Sequence, residues 1–386
     1  LMGIERMRRT GGLAHHQYKD GQLMDRATLA KVEGSKGDRL DKFGGQKSDR
    51  LHLFKKFQPN ISSEDHIPFD IAHVCSDSDH PWLAIIHADG NSMSQLVRRI
   101  LGESISKDKR LKAFRTFSRQ LDVATRAAAQ AAFAQVVEPA WSRIRSKDAQ
   151  AKYPFRPVVL GGDDVTVIIR ADLAFSFTTA FLAAFEKETR THFAFLQDYE
   201  IDGFDKGLTA CAGISYLKYS YPFHYAVDLA ESLTKEAKQF SKGLISPGEL
   251  PPSSLSFYKI QASFTSKLSK MREETQFAKA SGCRFHFGPY LLHPREGCAD
   301  VGLLREGLEQ LAKYNKEDAK GVSKLRRWVD HQFDQSALAT FLLDRMAHVN
   351  ANFYRDLRLD RAIQNGKSYL HELLQLNSFK KYQNED

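Results

Sequence analysis

Two adjacent carboxylates stand in the middle of the stretch RPVVLGGDDVTVIIR, which runs from Arg156 to Arg170. Apolar, β-branched runs flank the GGDD residues, and glycine accepts a positive φ without steric cost, so the stretch predicts a tight β-hairpin with Asp163 and Asp164 at its tip. Because both runs are almost wholly apolar, we expect the hairpin to lie at the centre of a sheet. A solvated acidic turn is the ordinary alternative, but a carboxylate pair beside buried strands needs a cation.

A third carboxylate, Asp89, follows a predicted strand over Trp82 to Ala88. On its own, such an aspartate is typical of a turn or of the N-cap of a helix, here one beginning near Ser92. If this strand and the hairpin share a sheet, the three carboxylates converge on one edge and form a hard oxygen-ligand site suited to Mg²⁺ or Mn²⁺. Two-metal nucleotidyl transfer uses such a site, because one ion activates a hydroxyl and the other steadies the leaving pyrophosphate.

The turn after Asp89 and a later lysine are candidates for binding phosphate. The turn DGNSMS opens a predicted helix over Ser92 to Leu101 and offers backbone N–H groups to an anion, although the chain contains no GxxxxGK[ST] loop. Lys238, near the end of a predicted helix over His224 to Phe240, is a candidate phosphate ligand, with Lys235 one turn earlier. A solvated lysine on a helix face is the alternative interpretation.

The predicted elements that must position these residues alternate between strands and helices. A strand over 82–88 is followed by helices over 92–101 and 111–137, the hairpin, a helix over 173–190, a strand over 207–218, a helix over 224–240 and a strand over 255–260. From about residue 262 the apolar periodicity is mostly helical. The first 75 or so residues are polar and glycine-rich, which favours an irregular extension with one short helix near Arg26 to Val32.

Composition narrows the class of protein. The 386 residues are enough for two or three domains, and 42% apolar with 27% charged residues describe a globular chain. The net charge of +9 favours an anionic partner such as nucleic acid or a nucleoside triphosphate. The four cysteines form no CxxC pair and predict reduced thiols rather than a zinc site. With no apolar run of about 18 residues and no signal-peptide pattern, we expect a cytoplasmic protein without a membrane partner.

Together these segments resemble the palm domain of the large polymerase-cyclase subunit of type III CRISPR complexes, a relative of the GGDEF and adenylyl cyclase palms. The matching stretches are LAIIHADGNSMSQL, VVLGGDDVTVII, TACAGISYLKYSYPFHYAVDLAESLTKEAK and LSFYKI. The resemblance implies an α+β fold, with a ferredoxin-like palm over residues 79–262. A polar N-terminal extension (1–78) and a mostly helical C-terminal domain (263–386) complete the predicted organisation.

The resemblance also implies a reaction and a set of site residues. The reaction is ATP-dependent synthesis of cyclic oligoadenylate or cyclic dinucleotide messengers in antiviral defence, with release of pyrophosphate. The residues that it assigns to Mg²⁺ or Mn²⁺ are Asp89, Asp163 and Asp164, with the carbonyl of Gly90. The residues that it places against the nucleotide and its phosphates are Asn91, Ser92, Met93, Gly161, Gly162 and Lys238.

Partners follow from departures from the family's pattern. Family members commonly carry two palms and often a His-Asp nuclease domain, but one palm is visible here and no HD dipeptide occurs. Joining two nucleotides needs two nucleotide sites, so we expect a homodimer, a second palm-bearing partner or an N-terminal region to supply the other. RNA and the subunits of a CRISPR complex are further expected partners.

Two other interpretations remain open at this stage. The palm could bind nucleotide or RNA without catalysis, as a sensor or scaffold, although degenerate palms usually lose the carboxylates that are intact here. A templated polymerase is the second, and the basic stretch KLRRW (Lys324 to Trp328) would contribute to its groove, but no fingers or thumb of the usual size is visible. Adenine follows from the resemblance alone, and the sequence does not specify product size, linkage or trigger.

Overall fold

A computed structural model describes residues 14–17, 23–25, 49–75, 81–102, 107–199, 201, 204, 207–246, 249–261, 267–317 and 319–380. The chain divides into two compact units, residues 1–52 and 53–386. In the first unit, β1 (Ala14–Gln17) and β2 (Leu23–Asp25) form an antiparallel pair. The helix expected near Arg26 to Val32 falls outside the described residues, and the domain boundaries at 78 and 262 stay predictions.

The second unit is built around a six-stranded sheet. The strands of the sheet are β3 (Trp82–Gly90), β4 (Phe155–Gly161), β5 (Asp164–Arg170), β6 (Ala210–Lys218), β7 (Ser254–Lys259) and β10 (Tyr290–Leu291). Two further strands, β8 (Phe277–Ala278) and β9 (Cys283–Arg284), form a separate two-stranded ribbon. The order across the sheet is β10-β7-β6-β3-β5-β4. β3, which carries Asp89 near its end, therefore lies inside the sheet between β6 and β5.

The helices of the chain account for most of the remaining described residues. They are α1 (Asp49–Lys55), α2 (Met93–Ile100), α3 (Lys107–Ala132), α4 (Glu138–Lys147), α5 (Ala171–His192), α6 (Phe223–Gly243), α7 (Leu268–Thr275), α8 (Val301–Glu317), α9 (Ala319–Asp334), α10 (Ser336–Val349), α11 (Ala351–Asp356) and α12 (Leu370–Lys380). A π-helical turn, Phe133–Val137, joins α3 to α4. None of the described helices is both long and apolar enough to cross a bilayer.

The predicted ferredoxin-like palm is confirmed by the topology. Strands β3, β4, β5 and β6 lie in the order β6-β3-β5-β4, and each pairs with its neighbour in antiparallel fashion. Helices α2, α3 and α4 connect β3 to the hairpin, and α5 connects the hairpin to β6. Helix α6 then returns the chain to β7, which pairs with β6 in parallel. The C-terminal part is mostly helical, as expected.

The prediction of a central hairpin is wrong for one of its two strands. β5 lies inside the sheet, but β4 forms the edge, and its residues Val158 and Val159 are exposed. Pro157 lies in β4 where the register shifts, and a proline has no N–H to donate to a further strand. The apolar run alone predicted burial, whereas Pro157 marked the edge.

Helix α6 packs on the face of the sheet that carries Asp89. Its buried residues Ala226, Ala230 and Leu233 belong to one apolar cluster with Leu83 and Ile85 of β3. These two strand residues alternate with the ones facing α5, so every second residue of β3, including His87 and Asp89, points toward α6. Because α6 packs along this face of β3, the end of the helix lies over the end of the strand, where the candidate site is.

Candidate active site

The end of β3 is held by a lysine from α6. The Lys238 ammonium donates hydrogen bonds to Oδ2 of Asp89, at 2.5 Å, and to the carbonyl oxygen of Gly90, at 2.7 Å. The Lys238 side chain is largely buried, whereas the Asp89 side chain is partly open to solvent. Two oxygens that the resemblance assigns to a metal ion therefore bind a cation in this structure, and that cation is an ammonium group.

The β4–β5 hairpin brings the two other carboxylates to the same place. Gly161 pairs with Asp164, which leaves Gly162 and Asp163 as a two-residue turn. Gly162 has a φ of +62°, a conformation that glycine adopts without strain. A Cβ on Gly161 or Gly162 would meet no described atom within 4 Å, so the backbone of this turn is open to an approaching ligand.

Close packing of Gly90 brings Asp163 against the end of β3. A Cβ on Gly90 would lie 2.4 Å from Cε of Met93, 2.9 Å from Cβ of Asp163 and 3.0 Å from its Oδ2. Any side chain at position 90 would therefore push the turn away from the strand. Asp163 shares a hydrogen bond with Asp89, so the two carboxyl groups are in direct contact.

This contact has a measurable electrostatic consequence. Burial, the charge of Asp89 and the hydrogen bond to Asp89 together raise the pKa of Asp163 to about 6, although Lys238 opposes the shift. Burial also raises the pKa of Asp164, where Asp89 and Glu231 add to the effect and His87 opposes it. The site thus holds more negative charge than Lys238 neutralises, which is the condition that a divalent cation would relieve.

Asp164 lies beside a histidine that the sequence did not single out. His87 of β3 pairs with Thr166 of β5, and continuing this register by one pair of residues on the same face sets Asp89 beside Asp164. Nδ1 of His87 lies 3.0 Å from Oγ1 of Thr166 and 3.4 Å from Oδ1 of Asp164. Oδ1 of Asp164 is buried and accepts no hydrogen bond from the described residues.

The donor atoms suit a hard divalent cation, but their present arrangement serves Lys238. Carboxylate and carbonyl oxygens are the ligands that Mg²⁺ prefers, and both the ammonium at Asp89 and the orphaned Oδ1 of Asp164 mark places for positive charge. In the part of the chain that the structure describes, no group of three or more His, Cys, Asp or Glu side chains is placed to hold a metal ion. The three carboxylates would have to turn toward a common point as Lys238 leaves.

The turn after β3 is held in place by the buried residue Asn91. The Asn91 side chain is 0% exposed. Its Nδ2 donates to Oγ1 of Thr209, at 3.0 Å, and its backbone N–H donates to the carbonyl of Thr209. Asn91 therefore supports the turn from inside rather than lining its surface. Ser92, with a φ of 59°, is the N-cap residue of α2, and Met93 begins the helix, so Asp89 is not that N-cap.

Sequence reasoning missed the residues that allow α6 to reach the site. A Cβ on Gly213 of β6 would lie 2.1 Å from the carbonyl oxygen of Ala230 and 2.6 Å from the backbone nitrogen of Thr234. The helix backbone therefore rests directly on the strand. Oγ1 of Thr234 donates to the carbonyl of His87, at 2.9 Å, which fixes α6 one turn before Lys238. In the sequence, the sign of this close approach was a glycine, Gly213, inside a predicted strand.

Two other polar side chains of α6, one of them the candidate Lys235, make their described contacts within the helix itself. The Lys235 side chain is 73% exposed and, among the described residues, pairs with Glu231 on its own helix, at 3.9 Å. It is the solvated lysine of the alternative interpretation. His224 is exposed at the start of α6, where its ring lies 3.9 Å from that of Tyr225.

Comparison with known proteins identifies the segment that carries this site. Residues 82–245 match the family described as Cas10/Cmr2, second palm domain, and this range contains every residue that the resemblance assigns to the site. The segment is therefore a palm domain of the type found in the large subunit of type III CRISPR complexes, as the sequence predicted. No curated protein sequence matches the chain.

Several solved structures show a distant likeness. Csm1 in T. onnurineus is 16% identical over 77% of this chain and 36% of its own, with a TM-score of 0.37. The Csm1–Csm4 cassette in complex with one ATP is 13% identical over 77% of this chain and 36% of its own, with a TM-score of 0.39. The same cassette in complex with cA4 gives 14% identity, the same coverage and a TM-score of 0.34. The chain thus spans about a third of the length of these proteins.

Proposed function

We propose that this chain is a Mg²⁺- or Mn²⁺-dependent nucleotidyltransferase that makes cyclic oligoadenylate or cyclic dinucleotide messengers from ATP in antiviral defence. The observation that carries the proposal is the contact between Asp89, at the end of β3, and Asp163, in the β4–β5 turn, beside the ammonium of Lys238 that binds Asp89. Such a contact has no structural benefit by itself, because like charges in a partly buried site repel. A palm that keeps it retains the means to bind a metal–triphosphate complex.

The proposed roles follow from position. Asp89, the Gly90 carbonyl, Asp163 and Asp164 would hold the ions, and bound ions supply activation of a hydroxyl and neutralisation of pyrophosphate. Gly161 and Gly162 leave room for the nucleotide above the turn. Ser92 and Met93 present the backbone of the α2 N-terminus toward the phosphates, and Asn91 supports that turn.

The reaction itself exchanges one phosphorus–oxygen bond for another. A ribose hydroxyl oxygen of one nucleotide attacks the α-phosphorus of a second and gives up its proton to water. The bond between the α-phosphorus and the bridging oxygen breaks, and pyrophosphate leaves. Lys238, once released from Asp89, is within reach of the same region and would bind the triphosphate of the incoming nucleotide.

A complete reaction needs a second nucleotide site. We propose that it comes from a second copy of this chain or from another palm-bearing partner, with RNA or the subunits of a CRISPR complex as regulators. The match of residues 82–245 to the Cas10/Cmr2 second palm domain supports a complex-subunit role.

The direct test uses the purified full chain. It is incubated with each labelled nucleoside triphosphate and Mg²⁺ or Mn²⁺, and the products are resolved by chromatography and mass spectrometry. Cyclic adenylates formed by the wild type but not by the Asp163→Asn/Asp164→Asn variant would support the proposal. If no nucleotide is converted, alone or with a partner palm and RNA, while ATP still binds, the chain is a binding palm and the proposal fails.

A further inference from the structure

The end of the central sheet opposite the candidate active site gathers three cations. Lys218 ends β6, Lys259 ends β7, and Arg326 of α9 lies close enough to act on Lys259. β6 runs from Ala210, which pairs with Gly90, to Lys218, which pairs with Trp82. At about 3.3 Å per residue, roughly 26 Å separate the two ends, so this cluster is distinct from the carboxylate site.

These cations lie together without a carboxylate partner among the described residues. The Lys259 ammonium lies 4.4 Å from the ring centre of Trp82 and 4.7 Å from that of Phe379, and it donates to Oγ of Ser378, at 2.9 Å. The Lys218 ammonium lies 5.8 Å from the Trp82 ring centre. Burial and the charges of Arg326 and Lys218 lower the pKa of Lys259 to about 8. Bound negative charge would relieve this repulsion, so the cluster is suited to an anion.

Two adjoining grooves lie beside the cluster and share Tyr221. One has a volume of about 450 Å³ and is lined by Trp82, Lys218 and Lys259, among others. The other has a volume of about 430 Å³, and its lining includes Tyr225, Lys267 and one carboxylate, Asp228. Each is within the size range of small-ligand sites. Because Tyr221 lines both, the grooves are neighbours, and a ligand with repeating units that passes over Tyr221 would reach both.

The chain between β6 and α6 adds exposed aromatic rings beside these grooves. The stretch KYSYPFHY, Lys218 to Tyr225, alternates aromatic with small or basic residues. Tyr219 is 52% exposed and Tyr225 is 41% exposed, although most aromatic residues of the palm are buried. Single exposed aromatic residues are ordinary, but exposed rings interleaved with cations form the kind of surface on which single-stranded nucleic acids bind, with phosphates on the cations and bases on the rings.

We propose that this surface, which we call the aromatic–basic surface and define by Lys218, Tyr219, Tyr221, Tyr225, Lys259 and Lys267, binds single-stranded nucleic acid. The lysines contact phosphates, and Tyr219 and Tyr225 stack on bases. A duplex keeps its bases stacked inside and cannot use the rings. The ligand is bound far from the carboxylates, so the inference does not depend on nucleotidyl transfer.

The test measures binding without nucleoside triphosphate or divalent ions, which keeps the carboxylate site out of the assay. Fluorescence anisotropy of the full chain is followed with labelled oligouridylate, oligothymidylate and a duplex of equal length, at several NaCl concentrations. We expect both single strands to bind at least tenfold more tightly than the duplex, and the RNA-to-DNA ratio reports whether the 2′-hydroxyl is contacted.

Two variants separate the phosphate and base contributions. Lys218→Glu should weaken single-strand binding about tenfold and reduce the slope of log affinity against log salt by about 0.7 or more. Tyr219→Ala with Tyr225→Ala should weaken binding about 5- to 100-fold while leaving the salt slope unchanged. Lys112→Glu, an exposed lysine on α3 with the same change of charge, is the matched control and should alter affinity less than twofold.

Three results would each overturn the proposal. They are the absence of saturable binding by the wild type, equal losses in the Lys218→Glu and Lys112→Glu variants, and duplex binding as tight as single-strand binding. Circular dichroism of each variant confirms that a loss of binding is not a loss of fold. The tyrosine pair is exposed, so it tests the surface even if Lys218→Glu perturbs the end of β6.

Discussion

The ammonium group of Lys238 lies 2.5 Å from Oδ2 of Asp89, although the two residues are 149 positions apart in the chain. The same ammonium binds the carbonyl of Gly90. In the proposed reaction, these two oxygens belong to a metal ion and Lys238 belongs to the triphosphate. Lys238 therefore neutralises part of the negative charge of the nucleotide-free site, and a divalent ion must compete with it for these ligands.

This relationship predicts the behaviour of Lys238→Met, a substitution that keeps the apolar stem and removes the charge. Mn²⁺ should bind the nucleotide-free variant about 10- to 100-fold more tightly than the wild type, because a charge-assisted hydrogen bond of about 1.5–3 kcal/mol no longer opposes it. The variant should also show a raised KM for ATP. Electron paramagnetic resonance of free Mn²⁺ measures the first effect without any turnover.

The matched control for Lys238→Met is Lys235→Met, on the same helix but with a largely exposed side chain. It should leave Mn²⁺ affinity within about twofold of the wild type, as expected for a surface charge. If Lys238→Met weakens Mn²⁺ binding or leaves it unchanged, the ammonium does not compete with the metal ion. Asp89→Asn should abolish Mn²⁺ binding in either background.

Substituting the turn carboxylates should separate catalysis from folding. Asp163→Asn or Asp164→Asn should reduce turnover by about 10³-fold or more, which corresponds to about 4 kcal/mol of transition-state stabilisation. Thermal stability of the metal-free chain should stay the same or rise, because each change removes unfavourable negative charge. Glu231→Gln removes a nearby charge without removing a ligand, so its turnover should change no more than about threefold.

The measurement is the initial rate of pyrophosphate release, with melting temperature recorded on the same preparations. Retention of a tenth or more of the wild-type rate by the Asp163→Asn/Asp164→Asn double variant would show that the turn carboxylates do not hold the ions. A collapse of thermal stability in the single variants would show instead that their charge supports the fold.

The raised pKa of Asp163 predicts a pH dependence of stability. Its folded pKa, about 6, lies above the ordinary value of 3.8, so the folded chain binds this proton more tightly than the unfolded chain does. The resulting stability is present below about pH 3.8 and is lost as pH rises through about 6. Saturating Mg²⁺ should reverse the loss, and Asp163→Asn should flatten the profile.

Melting temperatures between about pH 4.5 and 6.5 measure this effect, and the difference between the wild type and Asp163→Asn separates it from other groups that titrate in the same window, such as Asp164. Below that window, Glu236 acts in the opposite sense. Burial raises the pKa of Glu236, but hydrogen bonds and charges from His286 and Arg272 outweigh burial and lower the pKa to about 2. The contribution of the Glu236 carboxylate to folding stability is therefore lost as pH falls from about 4.5. A wild-type profile that Asp163→Asn does not change would show that the contact with Asp89 is absent in solution.

The sequence predicted the parts of the site that short, local residue patterns specify. GGDD between apolar runs gave the hairpin, and the apolar run before Asp89 gave β3, because glycine conformation and strand alternation are local properties. The edge position of β4 was misjudged because burial depends on which strands pair. Pro157 was the residue that could have corrected it, since a proline disfavours an inner strand.

Residues that act through tertiary packing left a weaker signal. His87 lies in an apolar strand, where a histidine is usually a core residue, and only the register with Thr166 shows that it reaches Asp164. Glu372 and His286 are 86 residues apart and belong to one buried network that no spacing indicated. Such pairs require the fold before they can be recognised.

The buried Glu372 carboxylate should contribute strongly to folding stability. It accepts hydrogen bonds from the backbone of Phe287, at 3.1 Å, and the hydroxyl of Tyr290, at 2.6 Å, and it lies 3.3 Å from Nδ1 of His286. Glu372→Ala leaves these donors buried without an acceptor and should destabilise the chain by about 3–5 kcal/mol. Urea unfolding measures the change, and the exposed Glu309→Ala control should stay within about 0.5 kcal/mol. A loss below 1 kcal/mol would mean that water replaces the carboxylate.

Gly213 should couple the fold to the site. In Gly213→Ala, the new Cβ would overlap the carbonyl of Ala230 and the backbone nitrogen of Thr234, neither of which is a flexible side-chain end. Helix α6 must then move off β6, at a cost of about 3 kcal/mol, the upper range for overpacking. The movement also draws Lys238 away from Asp89, so Mn²⁺ affinity and KM for ATP should shift together with stability.

Gly243→Ala is the matched control, because it lies at the end of the same helix and a Cβ there would meet no described atom within 4 Å. Its stability should equal or slightly exceed that of the wild type, since alanine favours a helix over glycine. Urea unfolding and Mn²⁺ titration of both variants give the comparison. If Gly213→Ala unfolds like the control, the strand and helix are not in backbone contact. If Gly213→Ala is destabilised while its Mn²⁺ affinity is unchanged, the position of Lys238 does not depend on the packing of α6 against β6.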